Sequence, residues 1–221
     1  MKIYLIPGLG YDCRIFEKLN FKNSDVNFIN WIEPIQNENI TDYSLRLFKE
    51  LPQNSNEKII LIGHSFGGFV AQEIAQHKNI DKIILIASIK SQSEIPLSFK
   101  LVKALKLYKF FTKELSINSF KYWCKAHGFK NKEEKDLFKS MLNKQTNNYL
   151  QWALKTLTEW KEPKIPTNTK IFQIHGTNDK TFPIRLIKEP TMVIDKGTHI
   201  MLYTQAEKIN GIFNKIIKQN N

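Results

Sequence analysis

Apolar residues occur along this chain in two alternating patterns. Uninterrupted runs of Ile, Leu and Val alternate with segments in which apolar residues recur every three or four positions. The first pattern is typical of parallel strands covered on both faces, and the second of helices that bury one side. Strands are predicted at residues 2–6, 26–31, 58–62, 81–87, 170–174 and 191–195, and helices between them at 13–19, 41–51, 66–77, 182–187 and 203–218. This alternation indicates an α/β fold with about six parallel strands joined by right-handed crossovers.

Helix boundaries follow from residues that cap or interrupt helices. Asp12 is predicted to cap the helix at 13–19, because its side chain can accept a hydrogen bond from a free backbone N–H group. Thr41 or Asp42 is predicted to cap the helix at 41–51, and Pro52 to end it.

The strand pattern is absent between residues 89 and 166. This stretch predicts helices at 97–115, 116–126, 132–143 and 149–160, each with aromatic side chains on one side. It is expected to form a helical insert placed after the strand that follows the helix at 66–77. The aromatic side chains are compatible with the wall of an apolar pocket and equally with ordinary helix packing. A chain of 221 residues can form a single α/β domain, residues 1–221, that includes the insert.

Residues 63–68, Gly-His-Ser-Phe-Gly-Gly, connect a predicted strand directly to a predicted helix. The small residues at positions 63 and 67 let the backbone approach closely, so that Ser65 can hold an exposed and strained conformation. Free N–H groups at a helix N-terminus favour negative charge, and this places the N–H of Phe66 to stabilise an oxyanion. The pattern predicts a nucleophile elbow, and the alternative is a tight strand-to-helix turn with an incidental serine.

A serine nucleophile requires a base that accepts its proton and a carboxylate that orients the base. Asp179 follows the strand at 170–174, and His199 follows the strand at 191–195. Loops after parallel strands emerge at the same edge of a sheet, so both residues are expected near Ser65. Asp179 is preferred as the acid because its loop is long enough to fold back. Asp195, four residues before His199, is the alternative.

The other histidines receive structural interpretations. His64 is expected to point away from Ser65, because adjacent side chains diverge on a sharp turn. His175 ends a strand and is expected to pack beneath the acid loop, whereas His77 and His127 are expected at the surface. Both cysteines, at positions 13 and 124, are interpreted as small apolar fillers, and no cluster has the spacing of metal ligands.

Together these motifs resemble the α/β-hydrolase superfamily, in its compact branch of carboxylesterases and pimeloyl-acyl-carrier-protein methyl ester esterases. The match covers nearly the whole chain and includes the elbow at 63–68, Pro-Gly-Leu-Gly at 7–10, Gly-Thr-Asn-Asp at 176–179 and Gly-Thr-His at 197–199. The order Ser65, Asp179, His199 is that of the family's catalytic triad. The resemblance implies that the insert, approximately residues 89–166, is the variable cap of the family. It also implies that Leu9 donates a second oxyanion N–H beside that of Phe66.

The function implied by this resemblance is a serine hydrolase that cleaves a carboxylic ester or thioester through an acyl-enzyme, without a cofactor or metal. Its partner would be a small-molecule acyl ester or thioester. One alternative is an acyltransferase or another non-hydrolytic enzyme of the same fold, because a fold does not determine a reaction. The other is a non-catalytic protein that binds a small ligand.

Charge is concentrated in the insert. The chain has a formal net charge of +12, and residues 90–162 contain fifteen lysines and seven acidic residues, a balance of +8. Solvated helix faces explain this pattern, as does a docking surface for an acidic partner such as an acyl carrier protein. The second interpretation rests on the predicted helix 97–115, in which lysines 100, 103, 106, 109 and 113 flank Leu101, Leu105 and Tyr108. Nucleic acid is not expected, since there is no binding motif.

Composition predicts a cytoplasmic protein. Hydrophobic residues make up 42% of the chain and charged residues 24%, which is ordinary for a globular domain. No apolar stretch approaches the roughly 18 residues of a transmembrane helix, and two distant cysteines do not suggest a disulfide framework.

Overall fold

The computed structural model describes residues 1–21, 24–49 and 57–218. Six strands form one sheet in the order β2-β1-β3-β4-β5-β6, and every neighbouring pair is parallel. The strands are β1 Lys2–Ile6, β2 Asp25–Phe28, β3 Ile59–His64, β4 Lys82–Ile86, β5 Lys170–Gly176 and β6 Met192–Ile194. All residues of β3 and β4 are buried, as their uninterrupted apolar runs predict. The predicted parallel α/β sheet is therefore confirmed.

The sheet has a topological switch point between β1 and β3. From β1 the chain passes to β2 on one side, and it then returns to place β3 on the other side of β1. Crossovers that leave in opposite directions open a crevice at the carboxyl ends of the two strands. Ile6, at the end of β1, pairs in register with Gly63 near the end of β3. The loops that follow these strands therefore start side by side.

Helices cover both faces of the sheet. Alternate residues of β3 point to opposite faces, so that Ile60 and Ile62 belong to one core and Ile59 and Leu61 to the other. The helices outside the insert are α1 Ile40–Leu47, α2 Phe66–His77, α8 Met201–Thr204 and α9 Ala206–Lys218. Apolar residues of α8 and α9 pack in the first core, and those of α2 pack in the second.

The predicted helical insert lies between β4 and β5. Its helices are α3 Leu97–Ala104, α4 Lys113–Asn118, α5 Phe120–His127, α6 Lys132–Asn143 and α7 Asn147–Glu159. Aromatic and aliphatic side chains of these helices join the cores of the sheet rather than forming a separate one. The insert is therefore packed directly against the sheet and its loops.

The predicted helix at 97–115 is wrong, because the chain breaks there into three elements. Helix α3 ends at Ala104, and Lys106 adopts a left-handed conformation with φ +52° that a helix cannot continue through. A 3₁₀ turn, Leu107–Phe110, follows. Thr112 then caps α4 by accepting a hydrogen bond from the N–H of Leu115.

Other boundaries also differ from the sequence predictions. The cap of α1 is Asn39, whose side chain accepts the N–H of Asp42 at 2.9 Å, and not Thr41 or Asp42. Helix α1 ends at Leu47, four residues before the predicted end at residue 51, and residues 51–52 themselves lie outside the described residues. The predicted helix at 203–218 is divided into α8 and α9, and Asp12 caps a short 3₁₀ turn, Cys13–Phe16, as expected.

Two loops touch through glycine backbones at the carboxyl edge of the sheet. A Cβ atom on Gly176 would lie 2.2 Å from the carbonyl oxygen of Gly197, a distance that no side chain can occupy. The N–H of Asn178 also donates to the Gly197 carbonyl at 2.8 Å. This contact brings the loop after β5 against the loop after β6, and these loops carry Asp179 and His199.

Gly176→Ala is expected to lower the free energy of unfolding by about 2 kcal/mol or more, because backbone atoms on both sides must separate to admit the methyl group. The measurement is urea unfolding followed by circular dichroism. Gly211→Ala is the matched control: a Cβ there meets nothing within 4 Å, and alanine in α9 is expected to stabilise the chain by about 0.5–1 kcal/mol. A Gly176→Ala variant as stable as the original chain would contradict the proposed contact.

Candidate active site

Ser65 occupies the sharp turn between β3 and α2. Its backbone has φ +50° and ψ −119°, a conformation that non-glycine residues rarely adopt and that costs about 1–3 kcal/mol. Two bonds hold it: the Ser65 N–H donates to the Ile86 carbonyl at 3.0 Å, and the Ser88 hydroxyl donates to the Ser65 carbonyl at 2.7 Å. The start of α2 also lies so close to β1 that a Cβ on Gly67 would be 2.2 Å from the Ile6 carbonyl oxygen. The turn therefore has the geometry expected of a nucleophile elbow.

His199 lies between Ser65 and Asp179. Its Nε2 is 2.9 Å from the Ser65 hydroxyl oxygen, and its Nδ1 is 2.9 Å from Oδ2 of Asp179. Because Nδ1 faces a carboxylate, it carries the proton, and Nε2 is left to accept the hydroxyl hydrogen. The three side chains are buried, and Ser65 lies more than a hundred positions before the other two along the chain. The structure thus brings together the three residues that the sequence analysis singled out.

Asp179 is held as an anion by its surroundings. Burial by itself raises the pKa of this carboxyl group, but His199, His175 and backbone N–H groups outweigh burial and lower the pKa below its ordinary value. Oδ1 accepts the N–H groups of Thr181 and Phe182 at 2.8 and 3.0 Å. The carboxylate is therefore fixed in position while Oδ2 accepts from His199.

The alternative acid, Asp195, is not placed beside His199. Its side chain is exposed, and its backbone carbonyl lies 3.5 Å from the side-chain amide of Gln205. The loop contact described above turns Asp179 inward instead. Of the two carboxylates considered, Asp179 alone is in hydrogen-bond contact with His199 in the described part of the chain.

Two further histidines support the loops of the site. His64 donates from Nε2 to the backbone carbonyl of His199 at 2.9 Å, and burial lowers the pKa of His64 to about 3, so the ring is neutral. His175 donates from Nε2 to the carbonyl of Phe182 at 2.7 Å and lies beneath the acid loop, as the sequence predicts. Neither ring bonds to the Ser65 hydroxyl.

The N–H groups of Leu9 and Phe66 belong to the turns that flank Ser65. Phe66 is the first residue of α2, so its N–H has no carbonyl partner within the helix. Leu9 lies in a turn closed by the N–H of Tyr11, which donates to the Gly8 carbonyl at 3.1 Å. Leu9 and Ser65 line the same cavity. The turn that contains Leu9 therefore reaches the cavity at Ser65.

A cavity of about 250 Å³ lies above Ser65 and His199. Its floor is formed by loops of the sheet, and its walls by side chains of the insert: Phe99 and Val102 from α3, Phe111, Trp123 from α5, and Leu154 and Leu157 from α7. Two larger surface depressions contain neither Ser65 nor His199. The aromatic residues of the insert therefore form a pocket wall as well as packing the helices.

His127 is buried, so the prediction that it lies at the surface is wrong. It ends α5 and hydrogen-bonds through Nδ1 to the Tyr11 hydroxyl, and it lines the cavity 5.1 Å from the His199 ring. Burial lowers its pKa well below the ordinary value. The sequence contained a signal: Phe120, Cys124 and His127 recur at the spacing of one helix face, and that face is inward.

No metal cluster is found among residues 1–21, 24–49 and 57–218: no three His, Cys, Asp or Glu side chains there are arranged to hold a metal ion. In the same described ranges, no helix is long and apolar enough to cross a membrane.

The sequence model of the alpha/beta hydrolase family matches residues 5–211. The chain belongs to the alpha/beta hydrolase family, and the resemblance inferred from its motifs is confirmed. No curated protein sequence matches the chain. Family membership supports a hydrolase as the class of enzyme, and the particular reaction does not follow from it.

Several solved structures share the fold at low sequence identity. An esterase from Exiguobacterium antarcticum has a TM-score of 0.75 and 16% identity, covering 99% of this chain and 92% of its own. MenH from S. aureus has a TM-score of 0.74 and 17% identity, with coverages of 99% and 94%. An epoxide hydrolase from Bacillus megaterium has a TM-score of 0.73 and 10% identity, with coverages of 99% and 93%. The esterase and the epoxide hydrolase are named for different reactions, and all three sequences are less than 20% identical to this chain. The similarity therefore shows the fold alone.

We expect the free energy of unfolding to decrease as the pH falls from about 6.5 towards about 3, because the unfolded chain then binds a proton that folded His64 excludes. At about pH 5, His64 alone accounts for a loss of about 2 kcal/mol relative to about pH 7.5. His64→Asn keeps a donor but not the titration, and it should reduce the pH-dependent loss by this amount in urea unfolding. The exposed His77→Asn is the control. Full pH dependence in His64→Asn would exclude this role.

Proposed function

We propose that this protein is a serine hydrolase that cleaves a carboxylic ester or thioester through an acyl-enzyme. The observation that carries the proposal is a pair of 2.9 Å hydrogen bonds that link Asp179 to His199 and His199 to Ser65. These residues lie at the floor of an apolar cavity. A strained serine joined in this way to a base and a fixed carboxylate has the arrangement that activates a nucleophile.

In the proposed reaction, the Ser65 hydroxyl attacks the carbonyl carbon while Nε2 of His199 accepts its proton. The N–H groups of Leu9 and Phe66 stabilise the oxyanion of the tetrahedral intermediate. Collapse of this intermediate breaks the bond to the alcohol or thiol, which leaves with the proton from His199 and leaves the acyl group on Ser65. Water then attacks the acyl-enzyme by the same path, releasing a carboxylic acid and restoring the hydroxyl.

Asp179 is assigned to orienting His199 and stabilising its charged form. Its lowered pKa keeps the carboxylate ionised, and its second oxygen is held by two backbone N–H groups, so it cannot rotate away from Nδ1. The proton on Nδ1 then leaves Nε2 free to act as the base.

The cavity supports an apolar acyl group as the substrate portion near Ser65. Its volume of about 250 Å³ is slightly below the range of about 300–1,000 Å³ that ligand sites commonly have. Most of its wall is aliphatic or aromatic, and Thr181 and His127 add polar groups near the base. We therefore propose an acyl chain of short to medium length.

Ser65→Ala and His199→Ala are each expected to lower kcat by at least about 10⁴-fold, because each removes a group that acts as part of one unit. Asp179→Asn is expected to lower kcat on the order of 10⁴-fold by favouring the wrong tautomer of His199. The measurement is hydrolysis of nitrophenyl esters and acyl thioesters of graded chain length.

Asp195→Asn is the matched control for the acid and should retain activity, since its side chain is exposed. If Asp195→Asn is inactive and Asp179→Asn is active, the acid assignment fails. Labelling of Ser65 by a fluorophosphonate tests the nucleophile directly. A protein that only binds a ligand need not react with it, whereas an acyltransferase would react and then favour an acceptor other than water.

Val102→Phe is expected to shift the chain-length preference towards shorter acyl groups, because Val102 lines the cavity. We expect kcat/KM for the longer esters to fall about tenfold relative to the acetyl ester. Ser98→Phe on the same helix is the control, since Ser98 is exposed and does not line the cavity. An equal effect of both substitutions would show that the cavity does not hold the acyl chain.

A further inference from the structure

A group of large apolar side chains lies exposed on the outside of the insert. The exposed fractions are 69% for Leu97, 53% for Leu101, 65% for Leu105, 44% for Leu107 and 67% for Phe110. Single exposed leucines are common on proteins, but five such residues within fourteen positions form a concentrated patch, and patches of this kind mark interaction sites. We call these five side chains, together with the lysines at 100, 103, 106 and 109, the outer cap surface.

Helix α3 carries apolar side chains both where it lines the cavity and where it faces solvent. Phe99 and Val102 face inward and line the cavity above Ser65. Leu97, Leu101 and Leu105 recur at intervals of four and form a row along the helix, and all three are exposed to solvent. Packing of the insert explains the inner side alone, so the outer leucines need a different explanation.

The 3₁₀ turn after α3 extends the same surface. Its inner side packs against α7, and the side-chain amide of Gln151 donates to the Lys109 carbonyl at 2.9 Å. Its outer side presents Leu107 and Phe110 to solvent. The helix break at Lys106, which the sequence analysis did not predict, thus adds two apolar residues beside Leu105.

Positive charge accompanies these apolar side chains. Lys100, Lys103, Lys106 and Lys109 are exposed, and none of them forms an ion pair with any residue that the structure describes. Residues 97–113 contain no Asp or Glu at all. The surface is therefore both cationic and apolar.

We propose that the outer cap surface binds an anionic lipid surface. In interfacial binding, apolar side chains enter the boundary between headgroups and acyl chains, while lysines stay among the headgroups. Each lysine near an anionic membrane raises the affinity by about fivefold. Four of the five apolar side chains are more than half exposed, so they project outward. A deformable bilayer accepts projecting side chains, whereas a folded partner would need a matching groove.

A second copy of this chain is a less suitable occupant. A symmetric contact through the outer cap surface would place the same four lysines of both copies against one another, and like charges at close range oppose association. An acidic protein such as an acyl carrier protein would complement the positive charge, but it would also need a groove that accommodates the projecting leucines. Both occupants are distinguishable outcomes of the test below.

Binding at this surface would also place the cavity next to the lipid, because the inner side of α3 lines the cavity. This part of the inference rests on the proposed hydrolase function. It identifies the substrate class as acyl esters or thioesters that partition into a lipid layer. Lipid binding itself does not depend on catalysis, so Ser65→Ala protein is expected to bind vesicles as the original chain does.

The test is flotation of the full chain with vesicles of phosphatidylcholine alone or mixed with phosphatidylglycerol. Binding is expected to the mixed vesicles, with little to the neutral ones, and it should weaken as salt rises. Leu101→Ser/Leu105→Ser and Lys103→Glu/Lys109→Glu should each weaken binding by at least about tenfold. Circular dichroism of each variant establishes that it is folded.

Matched controls distinguish binding by the outer cap surface from general effects of removing apolar side chains or lowering the net charge. Phe28→Ser/Ile35→Ser removes two side chains of similar exposure, and Lys208→Glu/Lys215→Glu makes the same change in net charge on α9. Both controls should bind as the original chain does, and equal loss in either would overturn the proposal.

Other outcomes also overturn the proposal. Absence of binding to the mixed vesicles excludes a lipid surface. A dimer in sedimentation velocity that Leu101→Ser/Leu105→Ser abolishes would assign the surface to a second copy. Saturable binding of an acyl carrier protein without vesicle binding would assign it to an acidic protein. If vesicles bind and no ester or thioester is hydrolysed, the proposed function fails while the lipid surface stands.

Discussion

Parallel pairing of all six strands is the constraint on which the site depends. Every strand that leads into the site runs in the same direction, so the loops that follow β1, β3, β5 and β6 all emerge at one edge of the sheet. An antiparallel strand in any of these places would carry its loop to the opposite edge. Ser65 lies far from Asp179 and His199 in the chain, and the three meet because each belongs to a segment that follows one of these strands.

Close backbone contacts set the distances between the loops that emerge at this edge of the sheet. The start of α2 touches the end of β1 at Gly67, and the loops after β5 and β6 touch at Gly176 and Gly197. Any side chain at these positions would separate the elements, and a hydrogen bond of 2.9 Å does not survive such a shift. The sheet therefore sets which residues are neighbours, and the glycine contacts set how closely they approach.

The helical insert packs over the loops at this edge of the sheet. Its helices close an apolar cavity over Ser65, and the bond between Tyr11 and His127 joins the insert to the loop after β1. Because both groups of this bond are buried, separating them without a replacement partner would cost about 1–3 kcal/mol. The same helix that lines the cavity with Phe99 and Val102 carries exposed leucines on its outer side.

Much of the fold was accessible from the sequence because the signals are local. Uninterrupted apolar runs predict buried parallel strands, and the glycine-flanked Ser65 between a strand and a helix predicts the elbow. Only the tertiary structure shows that Asp179, and not Asp195, contacts His199, because that contact depends on two loops that meet across the sheet edge. It also decided the burial of His127, whose partner Tyr11 is 116 positions away. Periodicity within a segment shows which side of a helix is apolar. It does not show which distant residues pack against that side, because those contacts form only when the whole chain folds.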